Sequence, residues 1–225
     1  ALFQEHINEA KKLVEKMSLE EKIGQLFLVR YEKSKVEENK NLYPGGYILF
    51  AKDFEKNTKE SMKKELEEDQ KINKYPLIIA VDEEGGYVTR VSRFPSYRSE
   101  KFSSPRYYYE QGGYELLEKV EKEKAELLKS LGINLNLAPV VDVSTSEEDF
   151  IYNRSFGRNA KETAEFAKNM VIYANENGIN SCLKHFPGYG NNKDTHTGIA
   201  IDERSYANYQ ENDFLPFKAG IDAGV

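Results

Sequence analysis

One cysteine, Cys182, and no tryptophan occur among the 225 residues of this sequence. A lone cysteine excludes an intrachain disulfide framework and leaves the redox compartment undetermined. Long apolar runs are missing too: nothing in the chain approaches the roughly 18 apolar residues of a membrane-spanning helix. Positive charge is in deficit, with 32 lysines and arginines against 38 aspartates and glutamates. The net charge of −6 argues against nucleic acid or an anionic membrane as the main partner, because both call for a positive face. Histidine is scarce, three residues in all, so two of them close together mark a segment to follow. The first residue is alanine rather than methionine, as at a processed or an engineered N-terminus; the compartment stays unknown, with a secreted or lipoprotein origin slightly favoured over a cytoplasmic one.

What is present is globular: 15 tyrosines and 12 phenylalanines, in a chain long enough to bury a core without disulfides or a structural metal. No internal repeat, low-complexity linker or composition shift divides it, so residues 1–225 read as a single domain. Apolar periodicity predicts an opening helix through Ile7, Ala10, Leu13, Val14 and Met17, then a capping box from Ser18 to Glu21 that starts another. Short apolar runs follow at Leu26 to Val29, Tyr47 to Phe50 and Leu77 to Val81. All three are continuously apolar and bounded by Gly or Pro, as strands buried on both faces should be. A long amphipathic helix runs through Leu117, Val120, Leu127, Leu128 and Leu131 and stops at Gly132. Beyond it come a strand region from Ile133 to Val143, a helix holding Phe166, Met170 and Tyr173, a strand near Ile179 to Leu183, and a last helix from about Asp213.

Strand and helix in regular alternation predict an α/β fold with a parallel sheet, either doubly wound or a (β/α)₈ barrel. Both place function at the carboxyl ends of the strands. Arg30, Asp82, Asp142, Lys184 and His185 each follow an apolar strand and would collect there.

The densest chemistry lies in Lys184-His185-Phe186-Pro187-Gly188 and the Gly- and Asn-rich loop leading to Asp194-Thr195-His196. An imidazole beside a carboxylate suits general acid/base work, since the carboxylate fixes the tautomer and stabilises the cation. An Asp-x-His that only caps a turn is the bland alternative. His185, Asp194 and His196 also make up the donor types of a metal site, but no helix-borne His pair or second carboxylate cluster supports one.

Asp82-Glu83-Glu84-Gly85-Gly86 and Arg90 form the second constellation: a strand-end carboxylate for vicinal hydroxyls, and a glycine pair that lets the backbone turn around a ligand. Its plainer reading is a polar turn with Glu83 and Glu84 on the surface. The glycines satisfy neither a dinucleotide fingerprint nor a phosphate loop, so no cofactor is expected. Arg154, in Asn153-Arg154-Ser155-Phe156-Gly157, suits recognition of hydroxyl or carboxylate groups, or pairs with one of the many acids. Cys182 lies in an apolar strand and reads as an inert thiol.

These motifs, together with Met17 to Leu26, Gly45-Gly46-Tyr47-Ile48-Leu49-Phe50 and Leu137-Ala138-Pro139-Val140-Val141-Asp142-Val143, resemble the N-terminal barrel domain of family 3 glycoside hydrolases. The Asp-x-His loop is similar to that of the β-N-acetylglucosaminidase branch. The resemblance implies a (β/α)₈ barrel of which the first five to six βα units are present. Its activity would be retaining exo-β-N-acetylglucosaminidase action on peptidoglycan-derived or chitin-type saccharides. It places Asp82, Arg90, Arg154, Lys184 and His185 around the non-reducing N-acetylglucosamine, His196 as general acid/base and Asp194 as its orienting partner. The family nucleophile, an aspartate on a later strand, would lie beyond Val225, so the 225 residues alone should turn sugar over poorly. Tyr189 stands where the family form has histidine, and the loop before Asp194 is one residue shorter. An unclosed barrel would leave two strand edges for a second copy or further sequence to pair. A non-catalytic carbohydrate-binding module and a metal-dependent hydrolase are the competing readings.

Overall fold

The computed structural model describes residues 6–225. Helices α1 (Ile7–Glu15) and α2 (Leu19–Gly24) lead into β1 (Leu28–Arg30), α3 (Lys33–Asn39), β2 (Gly46–Leu49), α4 (Ala51–Phe54), α5 (Lys59–Ile72) and β3 (Ile78–Val81). The chain continues as α6 (Pro105–Ser130), β4 (Leu135–Asn136), α7 (Ala160–Glu176), β5 (Asn180–Ser181), α8 (Tyr206–Glu211) and α9 (Phe214–Ala223).

Local chemistry sets several of these boundaries. The Ser18 hydroxyl accepts from the Glu21 amide while the Glu21 carboxylate accepts from the Ser18 amide, which is the predicted capping box at the start of α2. Helix α6 begins well before the predicted amphipathic run, because Ser104 caps it and Pro105 occupies its first turn. It bends at Gly112 and Gly113, the latter at φ 62°, a conformation side chains rarely adopt.

All neighbouring strands pair in parallel, in the spatial order β1-β2-β3-β4-β5. A doubly wound sheet reverses its strand order at a switch point, whereas here every crossover advances in one direction, as in a barrel. The described sheet has five strands and does not close.

Register explains the two faces. Tyr47, Leu49, Ile79 and Val81 are fully buried, packed with Phe54 of α4, Met62 and Leu66 of α5, and Val120 and Leu128 of α6. Each such side chain contributes about 1.5–3 kcal/mol by leaving water. On the opposite face Leu28 and Ile78 remain 39% and 43% exposed. The expectation of strands buried on both faces is therefore corrected: the helix layer covers one face, and an unclosed sheet leaves part of the other open. Gly46, paired with Ile78, is glycine because a Cβ there would lie 1.9 Å from the Ile78 carbonyl oxygen. The strands are also shorter than their apolar runs suggest. The Ile133 to Val143 region keeps a ladder only at Leu135 and Asn136, plus an isolated parallel bridge from Val140 to Lys184. Arg30 is the last residue of β1 rather than the residue after it, and the apolar residues of α1 are exposed.

Candidate active site

Alternation along β3 and β5 carries Ile78, Ala80 and Asp82, and likewise Asn180, Cys182 and Lys184, to one face. The Lys184 ammonium consequently meets Asp82 Oδ1 at 2.7 Å. It also meets Glu84 Oε1 at 2.6 Å. Arg154 donates two hydrogen bonds to the same Glu84 carboxylate, Nε at 3.0 Å and Nη2 at 2.7 Å. Arg90 approaches Asp82 at 3.8 Å and lies over the Phe50 ring, which Arg30 also covers. Arg30 itself is held by Asp53 in a fork of 2.7 and 3.1 Å.

Glu83 and Glu84 are not surface residues; they are 0% and 4% exposed. The Glu83 carboxylate accepts the backbone amides of Arg90, Val91 and Ser92 and the Ser92 hydroxyl, folding the Gly85-Gly86 loop back on itself. Asn136 on β4 bonds both the amide and the carbonyl of Glu83, so the loop is stapled to the sheet. Glu84, which the motif alone leaves in a polar turn, belongs to the pocket. Burial would raise its carboxyl, but the Arg154 hydrogen bond and the charges of Lys184 and Arg154 outweigh burial and hold it below the ordinary carboxylate value. The signal for it was charge balance: Arg90, Arg154 and Lys184 in one pocket need more than Asp82 to offset them.

His185 sits between Asp142 and Arg154. Its Nδ1 is 2.7 Å from Asp142 Oδ2 and its Nε2 is 3.1 Å from Arg154 Nη2. A guanidinium can only donate, so Nε2 accepts and the ring proton is on Nδ1, pointing at the carboxylate. Asp142, 1% exposed, also accepts the amides of His185 and Tyr189.

Asp194 and His196 pair on the loop above. Asp194 Oδ1 accepts both the His196 amide at 3.0 Å and its Nδ1 at 2.7 Å, which leaves Nε2 directed away from the carboxylate. These two bonds from His196, first the amide and then the ring, lower the Asp194 carboxyl. The His196 side chain is 78% exposed. It and His185 line one groove of about 500 Å³, with Tyr189, Thr195 and Tyr209. Ion pairs among Asp82, Glu84, Arg90, Arg154 and Lys184, with the Arg154–His185 hydrogen bond, thus unite five of the expected residues, and of these His185 lines the groove that holds His196.

His185 has neither ring nitrogen free for a metal, and among the described residues no three His, Cys, Asp or Glu side chains converge as a ligand set. Cys182 is half-buried, and burial raises its thiol above the ordinary range despite the nearby Lys184 charge. No helix among the described residues is long and apolar enough to cross a membrane.

The beta-hexosaminidase of Nitrosomonas eutropha is 33% identical over 193 residues, spanning 80% of this chain and 52% of the relative. Beta-hexosaminidase A of Pseudoalteromonas piscicida is 35% identical over 185 residues, spanning 80% of this chain and 31% of the relative. The first of these relatives is therefore about twice as long as the stretch the chain matches. Among solved structures, a glycoside hydrolase family 3 beta-N-acetylglucosaminidase from Paenibacillus superposes with a TM-score of 0.80 at 25% identity, over 93% of this chain and 41% of that one. NagZ from Neisseria gonorrhoeae, solved with N-trifluoroacetyl-D-glucosamine, gives a TM-score of 0.68 at 28% identity, over 88% of this chain and 59% of that one. A family model described as the glycosyl hydrolase family 3 N terminal domain matches residues 18–225. With an unclosed parallel barrel, a strand-end pocket and a family match over nearly its whole length, the chain belongs to glycosyl hydrolase family 3, through its N-terminal domain.

Proposed function

We propose that the chain supplies the sugar pocket and the proton-transfer pair of a retaining exo-β-N-acetylglucosaminidase acting on peptidoglycan-derived or chitin-type saccharides. The observation that carries this reading is the Asp194–His196 pair, bonded at 2.7 Å on a loop whose groove also contains His185. Asp82 and Glu84 offer acceptors to sugar hydroxyls, while Arg90, Arg154 and Lys184 offer donors. Glu84 holds Arg154 and Lys184 in place, so orientation is prepaid before the sugar arrives.

In the first step an enzyme carboxylate attacks the anomeric carbon. The bond to the leaving oxygen breaks, and His196 Nε2 gives that oxygen its proton. Neutral His196 then takes a proton from water, whose oxygen attacks the same carbon and frees the carboxylate. Asp194 holds the imidazole by Nδ1 in both steps and stabilises its cation. The attacking carboxylate is proposed on a later strand beyond Val225, and residues 1–225 as the first part of one barrel domain. Further strands, or a second copy, would pair the open edges at β1 and β5.

His196→Ala tests the reading with an aryl N-acetylglucosaminide and the intact protein. Loss of turnover by about 10²-fold or more, with N-acetylglucosamine affinity retained, supports it. Unchanged turnover overturns it, and binding without turnover in the native protein indicates a carbohydrate-binding module instead.

A further inference from the structure

The loop bearing Asp194 and His196 is held at its base, where Asn192 Nδ2 also donates to Asp202 and to the Tyr189 carbonyl, and near its tip. At its base the Arg204 guanidinium donates to Asp202, to both Asp213 oxygens at 2.9 Å and to the Gly188 carbonyl at 2.9 Å. Near its tip the Tyr189 hydroxyl ties it down: Oη lies 2.6 Å from Thr195 Oγ1 and accepts the Thr195 amide at 3.5 Å. Thr195 is the residue between the two members of the dyad. Away from these ties the segment is open, with Ile199 and Ile201 97% and 80% exposed.

Tyr189 is itself tightly fixed. It is 8% exposed, packs with Val140 and Ile151, and meets the His185 ring edge-on with centroids 5.3 Å apart. Its amide donates to Asp142 Oδ1 at 2.8 Å, while Asp142 Oδ2 accepts Nδ1 of His185 at 2.7 Å. One buried carboxylate therefore anchors His185 directly, and through Tyr189 and Thr195 it anchors the segment that carries His196.

We propose that Tyr189 is a positioning residue: its hydroxyl, acting through Thr195, sets where the Asp194–His196 pair stands relative to the His185 side of the pocket. The catalytic consequence rests on the glycosidase reading; the mechanical one does not. Packing alone would be served by phenylalanine, so the hydroxyl can be tested apart from the ring. Its partner can be tested in parallel, since valine matches threonine in shape and lacks the hydroxyl.

The variants are Tyr189→Phe, Thr195→Val, the two combined, and Thr195→Ser, which keeps the hydroxyl. Lys193 is exposed on the same loop, so native-state cleavage by trypsin after Lys193 reports loop opening without any need for turnover. Thr195→Val should speed that cleavage about fivefold, the effect of one ordinary hydrogen bond, and Tyr189→Phe at least as much, because it also removes the acceptor of the long Thr195 amide bond. The double variant should be no faster than Tyr189→Phe alone, and Thr195→Ser should stay near native. In the intact protein, kcat with an aryl N-acetylglucosaminide should fall about tenfold in the same three variants, because the proton donor is misplaced. KM should stay within about twofold, because Asp82, Arg154 and Lys184 are untouched. Native cleavage rates in Tyr189→Phe, additive effects in the double variant, or a loss expressed in KM rather than kcat would each overturn the proposal. Absence of turnover in the native protein overturns the glycosidase reading and the kinetic role with it, while the cleavage rates still decide whether the hydroxyl holds the loop.

Discussion

Glu84→Gln removes one charge from a pocket in which Arg154 and Lys184 both lean on that carboxylate, and it leaves the side-chain volume nearly unchanged. Glu84 is 4%, Lys184 14% and Arg154 17% exposed at the side chain, so little solvent is available to screen the cations left behind. Removing one partner of a buried ion pair costs about 3–5 kcal/mol. The lower end applies here, because the glutamine oxygen still accepts from Arg154 and Lys184 keeps Asp82 at 2.7 Å. A domain of this size loses roughly 2–4 °C of melting temperature per kcal/mol, so a cost of about 3 kcal/mol predicts a drop of about 6–12 °C at pH 7. The pH dependence has a definite sign. The folded Glu84 carboxyl lies below its ordinary value of 4.5, so its contribution is full above about pH 4.5 and is lost as pH falls through the lowered folded value. The gap between native and variant should therefore be wide at pH 7 and narrow in acid, followed by circular dichroism melts across the range. Asp82→Asn is the control, since it leaves Glu84 on both cations and should cost less. A pH 7 shift under about 2 °C, a gap that fails to narrow in acid, or a larger loss from Asp82→Asn would refute the charge-balance reasoning.

Two further expectations concern the scaffold. Gly46→Ala places a Cβ 1.9 Å from the Ile78 carbonyl oxygen, so β2 and β3 must separate; denaturant unfolding should show a loss of about 2 kcal/mol or more, and near-native stability would contradict the packing. Arg204→Gln leaves Asp213, 2% exposed, without its cation. Burial already raises the Asp213 carboxyl above 3.8 despite Arg204, so its ionisation works against the fold as pH rises through the raised value. Arg204→Gln should accordingly melt closest to native in acid and fall progressively behind towards neutrality, and a pH-independent difference would remove Asp213 from the explanation.

Particular residues show which features were legible. Strand existence could be read from apolar runs, because a parallel strand under a helix layer must be apolar on that side, as Tyr47, Leu49, Ile79 and Val81 are. Strand ends could not be read at Ile133 to Val143, where the apolar run continues after the ladder has stopped and packs as irregular backbone. Glu83 and Glu84 were illegible for a different reason. Adjacent acids next to two glycines are usually solvated, and only the arrival of three backbone amides at one carboxylate, and of Arg154 and Lys184 at the other, makes burial favourable.

Composition and periodicity set the alternation of strand and helix, the deficit of positive charge and the chemistry available at the strand ends. Chain order also placed Asp194 and His196 two residues apart, close enough for a local hydrogen bond whatever the rest of the chain does. Tertiary structure alone decided that every crossover runs the same way, that Asp142 holds His185 by one oxygen and Tyr189 by the other, and that Lys184 bridges Asp82 and Glu84. The physical reason is sequence distance: local hydrogen bonds and periodicity are set within a few residues, whereas Lys184 and Asp82, 102 positions apart, acquire their interaction only when the sheet aligns the ends of β3 and β5.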